Sequence, residues 1–324
     1  MIRYLLKRIV ILIPVVVGIS IILFIISKLM PGDQARLMLP NTLRPEQFEA
    51  AYEAAFTRLG LDKSYPEQYF RWIYNIISTG DLGFSSSFKR PVIECIGEPL
   101  KNTIILNVFI NILYLVIALP IGIKMAVKRG SLFDNSWQVF SLAAYSIPSF
   151  FLALTRIFFF AINLRWFPLG GMPNASLLSG AELYIAWARH LVLPVVTLTI
   201  ISLAGALRYV RNAMIDALSQ DYIRTARSKG MGEKVVIYSH AFRNALIPVS
   251  TIIIFTLFGL LAGSAITESV FSYNGIGRLL VQSVIARDTM MVISMNLIFA
   301  VVNVAAVLVA DIVYGLVDPR IKLK

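Results

Sequence analysis

The chain has 324 residues, 57% of them hydrophobic and only 15% charged, where a soluble domain carries about 25% charged residues; a soluble enzyme or isolated binding module is excluded, and an all-α integral membrane protein is expected. The formal net charge is +12, one cysteine (Cys95) rules out an intrachain disulfide, and two histidines (His190, His240) with no Cys/His cluster offer no metal site. No Gly-x-x-x-x-Gly-Lys-Ser/Thr phosphate loop occurs, so ATP, if it drives this chain, is bound by another.

Arg3, Lys7 and Arg8 precede an apolar run from about Ile9 to Leu29. A signal peptide has an apolar core of about 7–15 residues and a small-residue cleavage site. This run is longer and ends in Met30-Pro31-Gly32-Asp33, so residues 1–30 are expected to remain as a first span with the amino terminus inside. Residues 31–102 are polar and expected outside. Two amphipathic helices are legible there: one carries Phe48, Tyr52, Ala55, Phe56 and Leu59 after Pro45, the other Tyr69, Trp72, Ile73, Ile76 and Ile77 after Pro66. Asp81-Leu-Gly-Phe-Ser85 reads as an extended turn.

Five more spans are expected within residues 103–324, at about Thr103–Val127, Trp137–Ile162 (interrupted at Pro148), His190–Leu207, Ile247–Thr267 and Met290–Val313. Two outer loops join them, Arg165–Arg189 with its Gly170-Gly-Met-Pro173 and Glu268–Leu280, and Asp318-Pro-Arg-Ile-Lys322 ends the chain inside. Segments assigned to the inside carry 16 Lys and Arg against 6 acids, those outside 13 against 12. The basic excess is therefore a topological bias that puts both termini in the cytoplasm, not a nucleic-acid surface.

The most informative inside segment is Arg208–Pro248, with seven Lys or Arg against three acids between two apolar runs. Ser219 and Asp221 are N-cap candidates and Gly230 a C′ residue, bracketing a short helix with Tyr222 and Ala226 on one face. A second helix is expected from Gly232-Glu233 to Pro248.

Tyr222-Ile-Arg-Thr-Ala-Arg-Ser-Lys-Gly230, followed by His240-Ala-Phe-Arg-Asn-Ala-Leu-Ile-Pro248, resembles the cytoplasmic "EAA" loop of ABC importer permeases. In particular it is similar to the peptide/nickel permease family, in the subunit with a large external segment after its first span. Thr225-Ala226-Arg227 stands where the loop has Glu-Ala-Ala. Pro31-Gly-Asp33, Gly60-Leu-Asp62 and Asp81-Leu-Gly83 also resemble that subunit, and so does Glu268–Leu280, with Asn274 where the family has proline.

The resemblance implies a six-helix type I ABC importer permease fold with a helical external insertion. It makes Asp221, Tyr222, Arg224, Thr225, Ala226, Arg227, Lys229 and Gly230 a coupling helix that docks on an ATPase. It makes Glu268, Phe271, Gly275 and Gly277 part of the external gate. The implied partners are a second permease subunit, two ATP-binding subunits that hold ATP and Mg, an extracytoplasmic binding protein and the bilayer. No cofactor is expected on this chain, which would be a non-catalytic permease of a prokaryotic cytoplasmic membrane working by alternating access. Peptides are the expected cargo, with nickel complexes or oligosaccharides as the alternative.

Within the spans, Arg156 is the one basic residue at depth, where a charge needs a cavity or partner; substrate carboxylate and structural partner both remain open. Asn107 and Asn111 share a helical face, as do Asn296 and Asn303, and these asparagines serve either as interhelical glue or as a substrate path. Gly259-x-x-x-Gly263 permits close helix approach, as at a dimer interface. A secondary transporter would show inverted repeats and ionisable coupling residues at mid-membrane, a channel a filter element, and an intramembrane enzyme a catalytic constellation. None is legible.

Overall fold

The computed structural model describes residues 2–30, 33–39, 44–174, 176–259, 261 and 263–317. Pro31-Gly32 and the end expected inside, Asp318–Lys324, lie outside them. In chain order the helices are α1 (Ile2–Leu29), α2 (Gln34–Met38), α3 (Pro45–Arg58), α4 (Tyr65–Thr79), α5 (Val92–Val127), α6 (Leu132–Ser146) and α7 (Ser149–Arg156), which runs into a π-helical turn (Ile157–Asn163). Then come α8 (Gly180–Leu218), α9 (Asp221–Ser228), α10 (Glu233–Val235), a second π-helical turn (Val236–Phe242), α11 (Arg243–Gly259), α12 (Ala265–Val270), α13 (Ile276–Ile285) and α14 (Thr289–Val317).

Local chemistry accounts for many of the boundaries. Pro45 and Pro66 sit in the first turns of α3 and α4, where a missing N–H costs nothing. Asp33 caps α2 by accepting from the Ala35 backbone N–H at 2.9 Å, and Ser131 caps α6. Asp81–Ser85 turns at Gly83 (φ 93°), whose N–H the Asp81 side chain accepts at 2.8 Å; Phe84 is bridged to Pro91, and α5 then begins at Val92, well before the apolar run does.

Among the described residues, four helices are long and apolar enough to cross a bilayer: Val10–Leu29, Val92–Val127, Gly180–Leu218 and Thr289–Ile312. The pair α6 and α7 with its π turn is apolar enough to join them, but it is bent by 97°, the geometry of a broken span or a re-entrant loop. The bend falls where Pro148 forces Ile147 out of helical geometry (ψ 125°). The expected fifth span of the sequence falls on α11, which has 17 residues. It starts earlier than Ile247 and passes through Pro248, and the helix expected to stop at that proline instead continues by way of the π turn. Gly259 ends α11, so Gly259 and Gly263 do not share a helix. A Cβ on Gly263 would run into the backbone of Gly277, and the close approach it permits is therefore within the chain.

The centre of the bundle is α5 against α8. Leu106, Ile110, Tyr114 and Ala118 pack on Leu193, Leu203, Ala206 and Leu207, all buried. The helices pack tightly at Gly122, where a Cβ would lie 2.8 Å from the Val210 side chain. Arg211 of α8 pins α6 through two bonds to Asp134, at 2.6 and 2.8 Å. α1 and α14 form an outer pair joined by Arg8 and Asp311 at 3.1 Å. That ion pair puts the start of α1 and the end of α14 on the same face of the protein.

Candidate functional site

Helix α9 carries the residues assigned to coupling. Its N-cap is Gln220, with no side-chain cap bond, while Ser219 closes α8 and Asp221 is the first helical residue; the cap expected at Ser219 or Asp221 is thus displaced, because α8 runs on to Leu218 and leaves a two-residue corner. The C-terminal end is a complete Schellman closure: Gly230 at φ 74° donates to the Arg227 carbonyl at 2.9 Å and Met231 to the Ala226 carbonyl at 3.3 Å.

The seated face of α9 is Ile223 and Ala226, both buried, rather than Tyr222 and Ala226. They join Ile123 and Ala126 of α5, Val210, Met214 and Ala217 of α8, the π turn at Val236, Ile237 and Ala241, and Ala245 and Val249 of α11. Asp221, Tyr222, Arg224, Thr225, Arg227, Lys229 and Gly230 are exposed, whereas Ala226 faces the chain's own core. Ile223 went unnoticed in the sequence, although its i,i+3 spacing to Ala226 marks a packed stripe. Arg227 grips Glu233 at 2.6 and 3.2 Å, and its guanidinium holds that carboxyl below the usual carboxylate range.

The gate candidates converge at the other end of the bundle. The Glu268 carboxylate is 1% exposed. Its Oε1 accepts from the Thr103 hydroxyl at 3.0 Å, and its Oε2 from the Arg278 backbone N–H at 3.0 Å, on the first turn of α13. Thr103 in turn accepts from the Ile276 N–H at 2.8 Å. A carboxylate on backbone N–H groups at a helix N-terminus is electrostatically favoured, yet burial still pushes the Glu268 carboxyl above its usual range.

The two glycines make room for this clasp. A Cβ on Gly275 would lie 2.5 Å from Glu268 Cδ and 2.6 Å from Thr103 Oγ1, and one on Gly277 2.6 Å from the Ala265 nitrogen. Tyr273 donates to the Asn102 carbonyl at 2.7 Å, and Asn102 to the Asn274 carbonyl at 2.9 Å, strapping the loop to α5. Phe271 is buried, and its carbonyl accepts from Gly171 at 2.8 Å, so the two outer loops meet there. Thr103, Asn102 and Tyr273 are partners that no sequence pattern singled out.

The path candidates divide. Asn107 and Asn111 line a cavity of about 330 Å³ with Tyr114, Ser202, Thr256 and Gly259, between α5, α8 and α11. Tyr114 and Thr256 hydroxyls are 2.7 Å apart across it. Arg156 lies outside this cavity and donates to the Thr197 hydroxyl at 3.1 Å. Asn296 bonds its own helix at the Val292 carbonyl, as Asn303 does at Phe299. Among the described residues no group of His, Cys, Asp or Glu converges to hold a metal ion.

Two family models match. Residues 118–323 fit the binding-protein-dependent transport system inner membrane component, and residues 1–120 the N-terminal membrane component of the same systems. The chain is similar to the oligopeptide transport system permease protein AppB of Bacillus subtilis, 38% identical over 99% of this chain and all of that protein. It is 36% identical to the dipeptide transport system permease protein DppB of Alkalihalophilus pseudofirmus, over 99% of this chain and all of the relative. The di/tripeptide transport system permease protein DppB of Pseudomonas aeruginosa is 35% identical over 99% of both chains. With both models together covering it nearly end to end, the chain belongs to the family of binding-protein-dependent transport system inner membrane components.

Proposed function

We propose that the chain is a permease subunit of an ATP-driven importer that moves peptides across a prokaryotic inner membrane by alternating access. The relatives are named as oligopeptide and dipeptide permeases over their whole length, which supports peptide as the cargo class. ATP and Mg belong to two partner ATPase subunits, and a second permease and an external binding protein complete the assembly. Both termini are cytoplasmic in this reading.

The observation that best supports it is the seating of α9. One face, Ile223 and Ala226, is built into a core shared by α5, α8 and α11, and the other is exposed and basic. A partner pressing on the exposed face would displace three spans together. In the gate role, the Glu268 clasp holds α12 and α13 on α5 in one state of the cycle. Asn107 and Asn111 supply amide donors and acceptors to cargo in the cavity beneath. For this cycle to run, ATP and the loaded binding protein must each prefer a different conformation.

The test is ATPase activity of the co-expressed complex, wild type against Arg224→Glu, with and without loaded binding protein. Arg224 is exposed, so the variant folds. Stimulation in the wild type and its loss in the variant is the expected result. Solute movement by this chain alone, with no ATPase and no effect of the substitution, would favour a secondary carrier instead.

A further inference from the structure

The segment between α1 and α5 sits deeper than an external cap. The Tyr69 hydroxyl is 2.8 Å from that of Ser20, and Ser20 lies nine residues, about 14 Å, inside the Leu29 end of α1. Trp72 is clustered with Phe24, Ile293 and Leu297, the last about 12 Å into α14. With hydrocarbon about 15 Å thick per leaflet, the Tyr69–Trp72 face of α4 reaches the level of one leaflet, while Gln68 is held by Lys28 at its edge. The outward face of α4 agrees: Phe70, Tyr74 and Ile77, at i, i+4 and i+7, are 69%, 70% and 80% exposed. The polar arc of α4, with Arg71 and Asn75, turns the other way, as in helices that lie in a membrane interface.

That polar arc borders a cavity of about 790 Å³ enclosed by α1, α3, α4 and the start of α14. Lys28, Arg58, Arg71 and Arg287 stand in its wall, against Asp81 and Asp288. Asp288 is already saturated as the cap of α14, accepting from Ser85, Ser87 and Met291. Arg58, Arg71 and Arg287 form no ion pair among the described residues. Trp72 is 7% exposed and lines the same cavity, and its indole N–H has no hydrogen-bond partner among them. The remainder of the wall is largely apolar, including Phe24 and Ile293. Unpaired cationic donors, a buried unpaired N–H and an apolar floor at leaflet depth together define an anionic amphiphile.

We infer that this cavity is a binding site for an anionic phospholipid of the adjoining leaflet. The arginines and the Trp72 indole supply donors to the headgroup, and Leu37, Leu39 and Leu59 of the same wall receive an acyl chain. A free phosphate shares the headgroup chemistry but leaves the apolar floor bare.

The test titrates the full-length chain, purified and delipidated in mild detergent, with phosphatidylglycerol, and counts bound lipid by native mass spectrometry. Arg58→Gln and Arg71→Gln are each expected to weaken binding about fivefold, from the contribution of one basic side chain to anionic lipid. Ala54→Trp fills the cavity without changing its charge and is expected to abolish binding. Unchanged affinity in the arginine variants, or in Ala54→Trp, overturns the proposal. So does displacement of the lipid by inorganic phosphate at equal concentration, which would make the site one for a free anion.

Discussion

The Thr103 hydroxyl and the Glu268 carboxylate, 165 residues apart in sequence, meet in a 3.0 Å hydrogen bond. Thr103 also accepts from Ile276, so a single hydroxyl relays α13 to the buried acid. Thr103→Val keeps the shape but leaves the Ile276 N–H unpaired. We expect a loss of about 1–3 kcal/mol in unfolding measured in detergent, and non-additivity with Glu268→Gln in a double-mutant cycle. Strict additivity would show that the two groups are merely neighbours.

The same carboxylate makes stability depend on pH with a definite sign. Its pKa in the fold is raised, by burial, so folding favours the protonated form. The contribution is fully present below the ordinary carboxylate pKa and is lost as pH rises through the raised value. Relative to Glu268→Gln, the wild type should therefore lose stability as pH rises from the ordinary carboxylate range through the raised value. A difference between the two that stays flat across that window would contradict the assignment.

Space around the clasp is already used up. Gly275→Ala and Gly277→Ala drive a methyl into Glu268 or the Ala265 backbone, at a cost of about 1–3 kcal/mol. Gly97→Ala meets nothing within 4 Å and serves as the neutral control. Melting temperatures of the three variants decide the matter, and equal values for all would refute the crowding argument.

Asp134 has a side chain that is 0% exposed and it is matched by Arg211. Arg211→Met leaves a buried carboxylate with the Gly130 N–H but no counter-charge, at a cost of about 3–5 kcal/mol. Replacing both, with Asp134→Leu in addition, should recover much of the loss. If the double variant is as unstable as the single one, the penalty is not an uncompensated charge.

On α9, Ile223→Ala is expected to destabilise by about 2–5 kcal/mol, because it empties a packed site. Glu233→Gln breaks an exposed ion pair and should change stability by less than about 1 kcal/mol. Chemical unfolding of both variants checks the contrast, and a larger effect at Glu233 would mean that the pair does more than sit on the surface.

The sequence made the four long apolar helices, the Pro-led helices of the insertion and the Gly230 closure readable, since each rests on hydropathy or on local backbone chemistry. Glu268, Phe271, Gly275 and Gly277 could be picked out as a set, but not their partners. Thr103 meets Glu268, and Asn102 meets the neighbouring Asn274, across more than 160 residues, and no periodicity encodes such a pairing. The start of α5 at Val92 and the run of α8 to Leu218 were hidden because helices continue past the apolar stretch that announces them. Ser219 lost its expected cap role for the same reason. The depth of α4 was invisible too. Its sequence is that of any amphipathic helix, and only the contacts of Tyr69 and Trp72 with α1 reveal where it lies.

α8 has a mechanical consequence that follows from its size alone. Its 39 residues make a rod of about 58 Å, nearly twice the thickness of the hydrocarbon it crosses. Pivoting such a rod by about 10° at mid-membrane swings each tip by about 5 Å in opposite directions. One tip carries the corner from which α9 departs, and the other starts just beyond the loop that Phe271 holds. A modest tilt of this one helix thus reads out as ångström-scale displacements of opposite sense at the two surfaces.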